Sequence, residues 1–295
     1  RHLVTTRVEH PAVLNVMQYW ERQGYHVTYL SVDAKGRLDL DEYAAALTPD
    51  TALVSVMFAN NEVGNIYPVQ RLAEMAKERG LLFHTDAVQA VGKTPIDMAH
   101  LPVDMLSLSG HKLHAPKGIG VLYVRKGVRF RPFLRGGHQE NGRRAGTENV
   151  PYIVGLGVAA QLAATHMEEE RVSVALLRDR LEQGLLAVIP ECMVNGDIAN
   201  RLPNTTNIAF KNVEGEAILL MLDRLGICAS SGSACTSGSL EPSHVLRAMG
   251  VPFNYAHGSV RLSLSRYTTQ DEVDFVIAHF PDVIKTLRDI SPYKD

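Results

Sequence analysis

The regular alternation of strand-like and helix-like segments in the first half of the chain constrains the fold more than any other feature. Apolar runs of strand length occur at residues 2–6, 26–30, 51–59, 81–87 and 104–109. Amphipathic stretches with helical spacing separate most of them, at residues 11–23, 39–47 and 69–80. Strands that are almost wholly apolar are buried on both faces, as in a parallel sheet covered by helices. The sequence therefore predicts an α/β fold with a mainly parallel central sheet, and residues 120–124 as an antiparallel partner strand.

The pattern changes near residue 150, where a long helical stretch replaces the alternation. This stretch runs over residues 150–189, and we expect a break in it near Met167. Strand patterns then follow at 205–210 and 258–264, and helix patterns at 214–226, 242–249 and 269–290. Such an order is typical of an α+β arrangement. We predict a large domain over residues 1–164 and a smaller C-terminal α+β domain over residues 165–295.

Composition and charge argue against two classes of partner. The chain has 295 residues, 45% of them hydrophobic, and a formal net charge of −2, so no global field attracts nucleic acid or an anionic membrane. The longest apolar runs have strand length, and no signal peptide is visible, so we predict a cytoplasmic protein without a membrane span. Residues 125–144 are basic but punctuated by glycine, which favours a loop near a phosphate or a subunit interface over a nucleic-acid site. Because the chain opens with Arg1 and a strand that reads as internal, we expect a further N-terminal segment in the natural protein.

The three cysteines differ in their surroundings. Cys192 and Cys228 have apolar neighbours, which predicts buried side chains without a chemical role. Cys235 lies in SSGSACTSGS (230–239), a run of small residues through which no hydrophobic face can be drawn. An odd number of cysteines without CxxC spacing argues against a disulfide framework. The segment 230–239 therefore reads as an exposed loop that carries one accessible thiol.

Polar residues follow three successive strands at the point where each predicted strand ends. In chain order they are Asn60, Asn61 and Glu62, then His84, Asp86 and Gln89, then Ser109, His111 and Lys112. Ligands of open α/β sheets bind outside the carboxyl ends of the strands. Three such groups at one sheet edge therefore favour a binding site over a set of unrelated caps and turns.

The residue types at this edge favour pyridoxal 5'-phosphate as a cofactor. A lysine just past a buried strand, such as Lys112, can be desolvated and form a Schiff base with a carbonyl cofactor. A buried aspartate such as Asp86 needs a cationic partner, which a protonated pyridine nitrogen supplies. Taken singly, Lys112 reads as a surface lysine and Asp86 as a helix N-cap. Their occurrence together on adjacent strand ends favours the cofactor.

A metal site is the alternative interpretation of the same edge. His84, Asp86, His111 and His114 are all side chains of the metal-ligating type. Their spacing matches no strong zinc motif such as HExxH. We therefore predict that no metal is bound there.

Several longer motifs resemble those of the cysteine desulfurases, which belong to class V of the fold-type I pyridoxal phosphate enzymes. The motifs are HTDAVQAVGK (84–93), SLSGHKLHAPKGIGVLYVR (107–125), GTEN (146–149), SSGSACTSGSLEPSHVLRAMG (230–250) and VRLSLSRYTT (260–269). The likeness extends over the whole chain and is strongest to the nitrogen-fixation (NifS) branch. Members of the family carry a preceding segment with a Gly-Thr-Glu turn that helps to bind the cofactor phosphate, and this sequence begins after it.

The resemblance implies a role for each of ten residues. Lys112 would be the Schiff-base lysine, Asp86 the partner of the pyridine nitrogen, and Gln89 the donor to the ring's phenolic oxygen. His10 would stack on the ring and move protons, although from the sequence alone it reads as a polar residue at a helix N-terminus. Ser109 and His111 would bind the cofactor phosphate, and Thr147 would do so across a homodimer interface. Asn61, which also neighbours the cofactor, and Arg261 would hold the substrate carboxylate, and Cys235 would be the nucleophile that accepts sulfur.

The resemblance also implies the reaction and its partners. L-Cysteine would be converted to L-alanine, with the sulfur transferred to an enzyme cysteine persulfide and then to an iron–sulfur scaffold or another acceptor protein. Two alternatives remain open at this point. One is a selenocysteine lyase or another class V enzyme, and the other is a non-catalytic fragment. A transaminase fits less well, because that reaction needs no thiol.

Overall fold

A computed structural model describes residues 1–231 and 241–291 of the chain. The strands are β1 His2–Thr6, β2 His26–Leu30, β3 Thr51–Ser55, β4 Leu82–Asp86, β5 Met105–Ser109, β6 Gly120–Val124, β7 Cys192–Val194, β8 Thr205–Phe210, β9 Ser230–Ser231 and β10 Ser259–Ser263. The helices are α1 Pro11–Arg22, α2 Leu40–Ala46, α3 Val69–Glu78, α4 Gln139–Gly142, α5 Val150–Val188, α6 Gly215–Asp223, α7 His244–Ala248, α8 Phe253–Ala256 and α9 Gln270–Ile290. A short 3₁₀ turn at Gly110–Leu113 follows β5.

The first six strands form one sheet in the order β2-β1-β3-β4-β5-β6. Strands β1 to β5 pair in parallel, and β6 pairs antiparallel with β5 through Met105↔Val124 to Ser109↔Gly120. The predicted mainly parallel α/β sheet is therefore confirmed, including the antiparallel partner strand. Since β1, β3, β4 and β5 run in the same direction, the loops that follow them meet at one edge of the sheet.

The last four strands form a second sheet in the order β7-β8-β10-β9, with antiparallel pairing throughout. Its helices α6 and α9 cover one hydrophobic cluster with Phe210 and Phe280, whose rings lie 5.1 Å apart. Helix α9 begins at a capping box in which Thr269 and Glu272 satisfy each other's backbone amides. The first sheet encloses a separate cluster around Val54 and Phe83. The division at residue 165 stays a prediction.

Helix α5 links the two sheets and corrects one detail of the sequence analysis. It continues without interruption from Val150 to Val188, so the break expected near Met167 is absent. Both halves of the helix are packed against other elements. Leu156 in the first half packs against the 3₁₀ turn, and Leu181 in the second half packs in the cluster beneath α9. These contacts hold both halves to the protein and remove the reason for a break. By length and composition alone α5 could cross a membrane, which is weak evidence because long helices of soluble proteins pass the same test.

The two described cysteines do not lie in the core as predicted. Cys192 is half-buried at the start of β7 and donates a hydrogen bond from its thiol to the Ile189 carbonyl at 2.9 Å. Cys228 is exposed. Its neighbours Ile227 and Ala229 pack against the cluster around Phe210 and Phe280. The Cys228 side chain lies between them and points away from that cluster. The apolar sequence context was therefore misleading for Cys228.

Candidate active site

The segments at the ends of the parallel strands β1, β3, β4 and β5, together with β9 and the middle of β10, enclose one cavity with a volume of about 340 Å³. It contains most of the side chains that the sequence analysis selected. Its lining includes His10, Asn61, Asp86, Gln89, Ser109, His111, Lys112, Ser230, Ser231 and Arg261. Segments separated by up to 250 residues in the chain therefore place a carboxylate, an amine, amides, imidazoles and a guanidinium around one space.

Asp86 ends β4 and is only 9% exposed. One carboxylate oxygen accepts a hydrogen bond from the backbone amide of Val88 at 3.0 Å, and the Phe58 amide donates to the Asp86 carbonyl at 2.8 Å. The helix N-cap interpretation of this residue is wrong, because a turn and not a helix follows β4, and the carboxylate bonds within that turn. These bonds also fix a buried carboxylate at the cavity wall, where a cationic partner would offset its desolvation.

Lys112 lies in the 3₁₀ turn that follows β5. Close packing fixes the position of this turn. Gly92 has a φ of +75°, and a Cβ atom there would lie 2.5 Å from Leu113 Cδ2, so only glycine lets the segment after β4 approach it. Ser109 Oγ and His111 Nδ1 are 2.9 Å apart beside the lysine, and burial and the charge of Lys112 lower the pKa of His111.

A second lysine, Lys93, bonds to the backbone of Gln89. Lys93 Nζ donates to the Gln89 carbonyl at 3.1 Å. Burial, and after it repulsion from Lys112, lowers the pKa of Lys93 to about 8, while Glu170 opposes this shift. The backbone that carries Gln89 is therefore fixed before any ligand binds.

His10 is the N-cap of α1 and lines the cavity at the same time. Its Nδ1 accepts a hydrogen bond from the Ala12 amide at 3.1 Å, so this nitrogen carries no proton. Burial lowers the pKa of His10, and Asp86 opposes that shift. A neutral imidazole with its proton on Nε2 follows from the two observations.

Arg261 and Asn61 meet where the second sheet touches the first. Arg261 lies on β10, and its Nη1 donates to the Asn61 carbonyl at 2.6 Å. Strand β9 pairs with this part of β10 through Arg261↔Ser230. Strand pairing therefore fixes the backbone of Arg261, and the Asn61 carbonyl holds its guanidinium at the cavity.

Among the residues to which the resemblance gives a role and which the structure describes, one does not line the cavity. Thr147 is exposed in the loop before α5. Cys235 lies outside the described residues. Its nearest described neighbours in the chain are Ser231, which lines the cavity, and Glu241.

The structure adds buried acids to which the sequence analysis gave no role. Glu9 and Glu62 are both buried beside cavity-lining residues. Ser243 Oγ donates to Glu62 Oε2 at 2.5 Å, and His244 Nε2 contacts the Glu9 carbonyl at 2.9 Å. The sequence pattern places Glu62 at the sheet edge without a role, and the signal for Glu9 is that it directly precedes His10.

The metal interpretation gains no support from the geometry. Within residues 1–231 and 241–291, no three His, Cys, Asp or Glu side chains converge closely enough to hold a metal ion. Both ring nitrogens of His84 lie 2.8 Å from serine hydroxyls, those of Ser55 and Ser107. These contacts occupy the ring positions that a metal would need.

Comparison with known proteins agrees with this arrangement. Residues 1–276 match the family model described as aminotransferase class-V. A cysteine desulfurase of Nostoc sp. is 64% identical over 295 residues, which are 100% of this chain and 74% of that protein. The cysteine desulfurase NifS of Azotobacter vinelandii is 62% identical over 291 residues, 99% of this chain and 72% of that protein. A solved structure described as a NifS-like protein has a TM-score of 0.90 at 39% identity, and the alignment covers 97% of this chain and 76% of that one.

The chain therefore belongs to the class-V aminotransferase family. Within that family it is one of the cysteine desulfurases, which depend on pyridoxal 5'-phosphate. The donor set of the cavity fits this cofactor. It offers an amine for the aldehyde, a buried carboxylate for the ring nitrogen, and a hydroxyl and an imidazole for the phosphate.

Proposed function

We propose that this cavity converts L-cysteine to L-alanine and that Cys235 receives the sulfur. The observation that carries the proposal is the convergence of Lys112, Asp86, His10 and Arg261 on one cavity. No described contact favours a selenocysteine lyase over this activity.

Each cavity residue has a separate task in the proposal. When bound, pyridoxal phosphate supplies an aldehyde that reacts with amines and a ring that stabilises negative charge on the attached carbon. Lys112 holds it through its amine and Asp86 pairs with its ring nitrogen, while Gln89 and Asn61 donate to its oxygen atoms. Ser109 and His111 bind the phosphate.

The substrate end of the cavity is defined by Arg261. A guanidinium binds a carboxylate through two parallel hydrogen bonds, which fixes the orientation of an amino acid. The proton on His10 Nε2 is the one that this side chain can donate, because Nδ1 is occupied by the Ala12 amide. His10 thus serves as a proton donor within the cavity.

Cys235 completes the reaction in this proposal. Its thiolate attacks the sulfur of the substrate, the substrate carbon–sulfur bond breaks, and a sulfur–sulfur bond forms. The substrate carbon gains the electron pair and a proton to give alanine, and Cys235 becomes the persulfide. Support comes from the sequence, in which Cys235 follows Ser231 by four positions, and Ser231 lines the cavity.

We further propose that the protein is a homodimer in which Thr147 reaches the phosphate site of the partner. The loop before α5 and the first turns of this helix expose a set of large apolar side chains. Among them are Phe133, which is 95% exposed, and Leu134, Val150, Val154 and Val158. Exposed apolar patches of this kind favour association with another protein surface. Delivery of sulfur to an iron–sulfur scaffold, a cytoplasmic location and a domain boundary at residue 165 are parts of the same proposal.

Cofactor binding and product release test the proposed function together. The protein with pyridoxal phosphate should show a visible absorption band and should release alanine and sulfide from L-cysteine. Lys112→Ala should lose the band, because Lys112 is the one lysine among the described residues that line this cavity. An unchanged band in that variant would contradict the assignment of Lys112.

A further inference from the structure

The Glu62 carboxyl group occupies a buried position beside the substrate end of the cavity. Glu62 is only 4% exposed and directly follows Asn61 in the turn after β3. The Asn60 side chain accepts a hydrogen bond from the Glu62 amide at 2.9 Å, and Ser243 Oγ donates to Glu62 Oε2 at 2.5 Å. Both ends of this residue are therefore fixed.

The same turn is attached to the second sheet by two hydrogen bonds. Arg261 Nη1 donates to the Asn61 carbonyl at 2.6 Å, and Asn207 Nδ2 donates to the Glu62 carbonyl at 3.2 Å. Arg261 and Asn207 lie directly opposite each other on β10 and β8. Side chains that lie opposite each other on β10 and β8 thus hold the backbone carbonyls of Asn61 and Glu62, so that the Arg261 guanidinium is fixed at the turn that carries Glu62.

Charge connects the two groups as well as geometry. Burial raises the pKa of Glu62 to about 7, and the hydrogen bond from Ser243 and the positive charge of Arg261 each oppose that shift. The ionised form of Glu62 therefore depends in part on Arg261. A second carboxylate that bound to the same guanidinium would weaken this support.

We propose that Glu62 competes with the substrate α-carboxylate for the charge of Arg261 and takes up a proton when that carboxylate binds. The inference rests on the proposed function, in which Arg261 binds the carboxylate, and assigns Glu62 as a positioning residue for it. Two carboxylates that share one buried cation cannot both ionise at low cost. Substrate binding and protonation of Glu62 are therefore coupled.

The direction of the pH effect follows from the coupling. At acidic pH Glu62 is neutral and no longer competes with a ligand carboxylate for the charge of Arg261. Above the pKa of Glu62, a carboxylate ligand can bind in two ways. Either Glu62 takes up a proton, which costs more free energy as the pH rises, or the ligand binds beside the negative charge of ionised Glu62. Affinity for a carboxylate ligand therefore falls on the alkaline side.

Other titrating groups near Arg261 must be separated from this effect. His10, Asp86 and Lys112 line the same cavity, and His244 follows Ser243 but turns its Nε2 to the Glu9 carbonyl. These groups are the same in the protein and in a Glu62→Gln variant. The ratio of the two affinities at each pH therefore reports on Glu62. Glutamine also keeps an oxygen that can accept the hydrogen bond from Ser243.

The experiment uses the cofactor-loaded protein and propionate, a carboxylate without the amine that reacts with the cofactor. Its inhibition constant against L-cysteine is measured between about pH 6 and about pH 8.5, and we expect it to rise about ten-fold more in the protein than in Glu62→Gln, the effect of one pKa unit. Cysteamine, which has the amine and thiol of cysteine but no carboxylate, is the control ligand. Its inhibition should keep the same ratio between the two proteins at every pH.

Three results separate the possible failures. Equal pH dependence for propionate in the protein and in Glu62→Gln would overturn the inference. If propionate inhibits Arg261→Gln as well as the unmodified protein, the proposed carboxylate site itself is wrong. Where Glu62→Gln does not fold, Ser243→Ala removes the bond that favours the ionised acid, and the loss of propionate affinity should move to higher pH. An unmoved transition in that variant would also overturn the inference.

Discussion

Glu9 should make the stability of the protein fall as the pH rises. Its side chain is fully buried, and Oε1 accepts hydrogen bonds from Thr6 Oγ1 at 2.9 Å and from the Met57 amide at 2.8 Å. Burial raises the pKa of Glu9 from 4.5 to about 8 against these bonds. Between those two values the folded protein holds a proton that the unfolded chain has released. Stability linked to Glu9 is therefore complete below the lower value and is lost as the pH rises to the upper one.

The size of the effect follows from the linkage. Each pH unit in that interval costs about 1.4 kcal/mol, or about 3 kcal/mol between about pH 6 and about pH 8. Glu9→Gln cannot ionise and escapes this loss. Between about pH 6 and about pH 8 the free energy of unfolding, measured by urea titration, should therefore fall by about 3 kcal/mol less in Glu9→Gln than in the unmodified protein. Glu78→Gln, an exchange at an exposed position on α3, controls for the change in net charge. Parallel stability curves for Glu9→Gln and the unmodified protein would refute the reasoning.

Three further changes test other parts of the molecule. Cys235→Ser should keep the visible cofactor band, but mass spectrometry should detect no persulfide on it. Alanine substitutions at Cys192 and Cys228 should keep turnover. Normal turnover by Cys235→Ser would exclude the proposed role. Thr147→Ala should weaken cofactor retention. Mixed dimers of Thr147→Ala and Lys112→Ala should regain part of the activity, because one of their two sites has both residues intact. No recovery in verified mixed dimers would argue against shared sites. Glu182→Ala should lower the free energy of unfolding by about 3 kcal/mol, since it leaves the buried Arg201 without its two bonds of 2.6 and 2.9 Å. A loss below about 1 kcal/mol by urea titration would contradict that reading of the buried pair.

The cofactor side of the cavity could be predicted because it depends on local sequence. Asp86, Gln89 and Lys112 each follow an apolar strand within a few residues. Parallel pairing then brings those positions to one sheet edge. His10 shows the limit of this reasoning. It is the helix N-cap that the sequence favoured, yet the same position lies beside the cavity because β1 is next to β3.

The remaining features depend on contacts between distant parts of the chain. The described part of strand β9, Ser230 and Ser231, is a strand because it pairs with β10. Ser243 and Glu62 are separated by 181 positions, so no local pattern could connect them. The continuity of α5 through Met167 similarly depends on packing against elements from both sheets. Sequence patterns carry no information about such pairings until the fold is known.

The two buried acids differ in what they connect, although each lies next to a cavity residue. Glu9 bonds to Thr6 on β1 and to Met57 just after β3, and the charge of Asp86 helps to raise its pKa. Glu62 bonds across to Ser243 and responds to Arg261, both of which follow β8 in the chain. The protonation of Glu9 should therefore affect the stability of the first sheet, whereas that of Glu62 should affect the binding of a carboxylate between the sheets. Because their pKa values of about 8 and about 7 lie close together, a pH profile of the unmodified protein mixes both effects. The Glu9→Gln and Glu62→Gln variants separate them, because both acids contribute to the pH dependence of unfolding and each variant removes one of the two titrations.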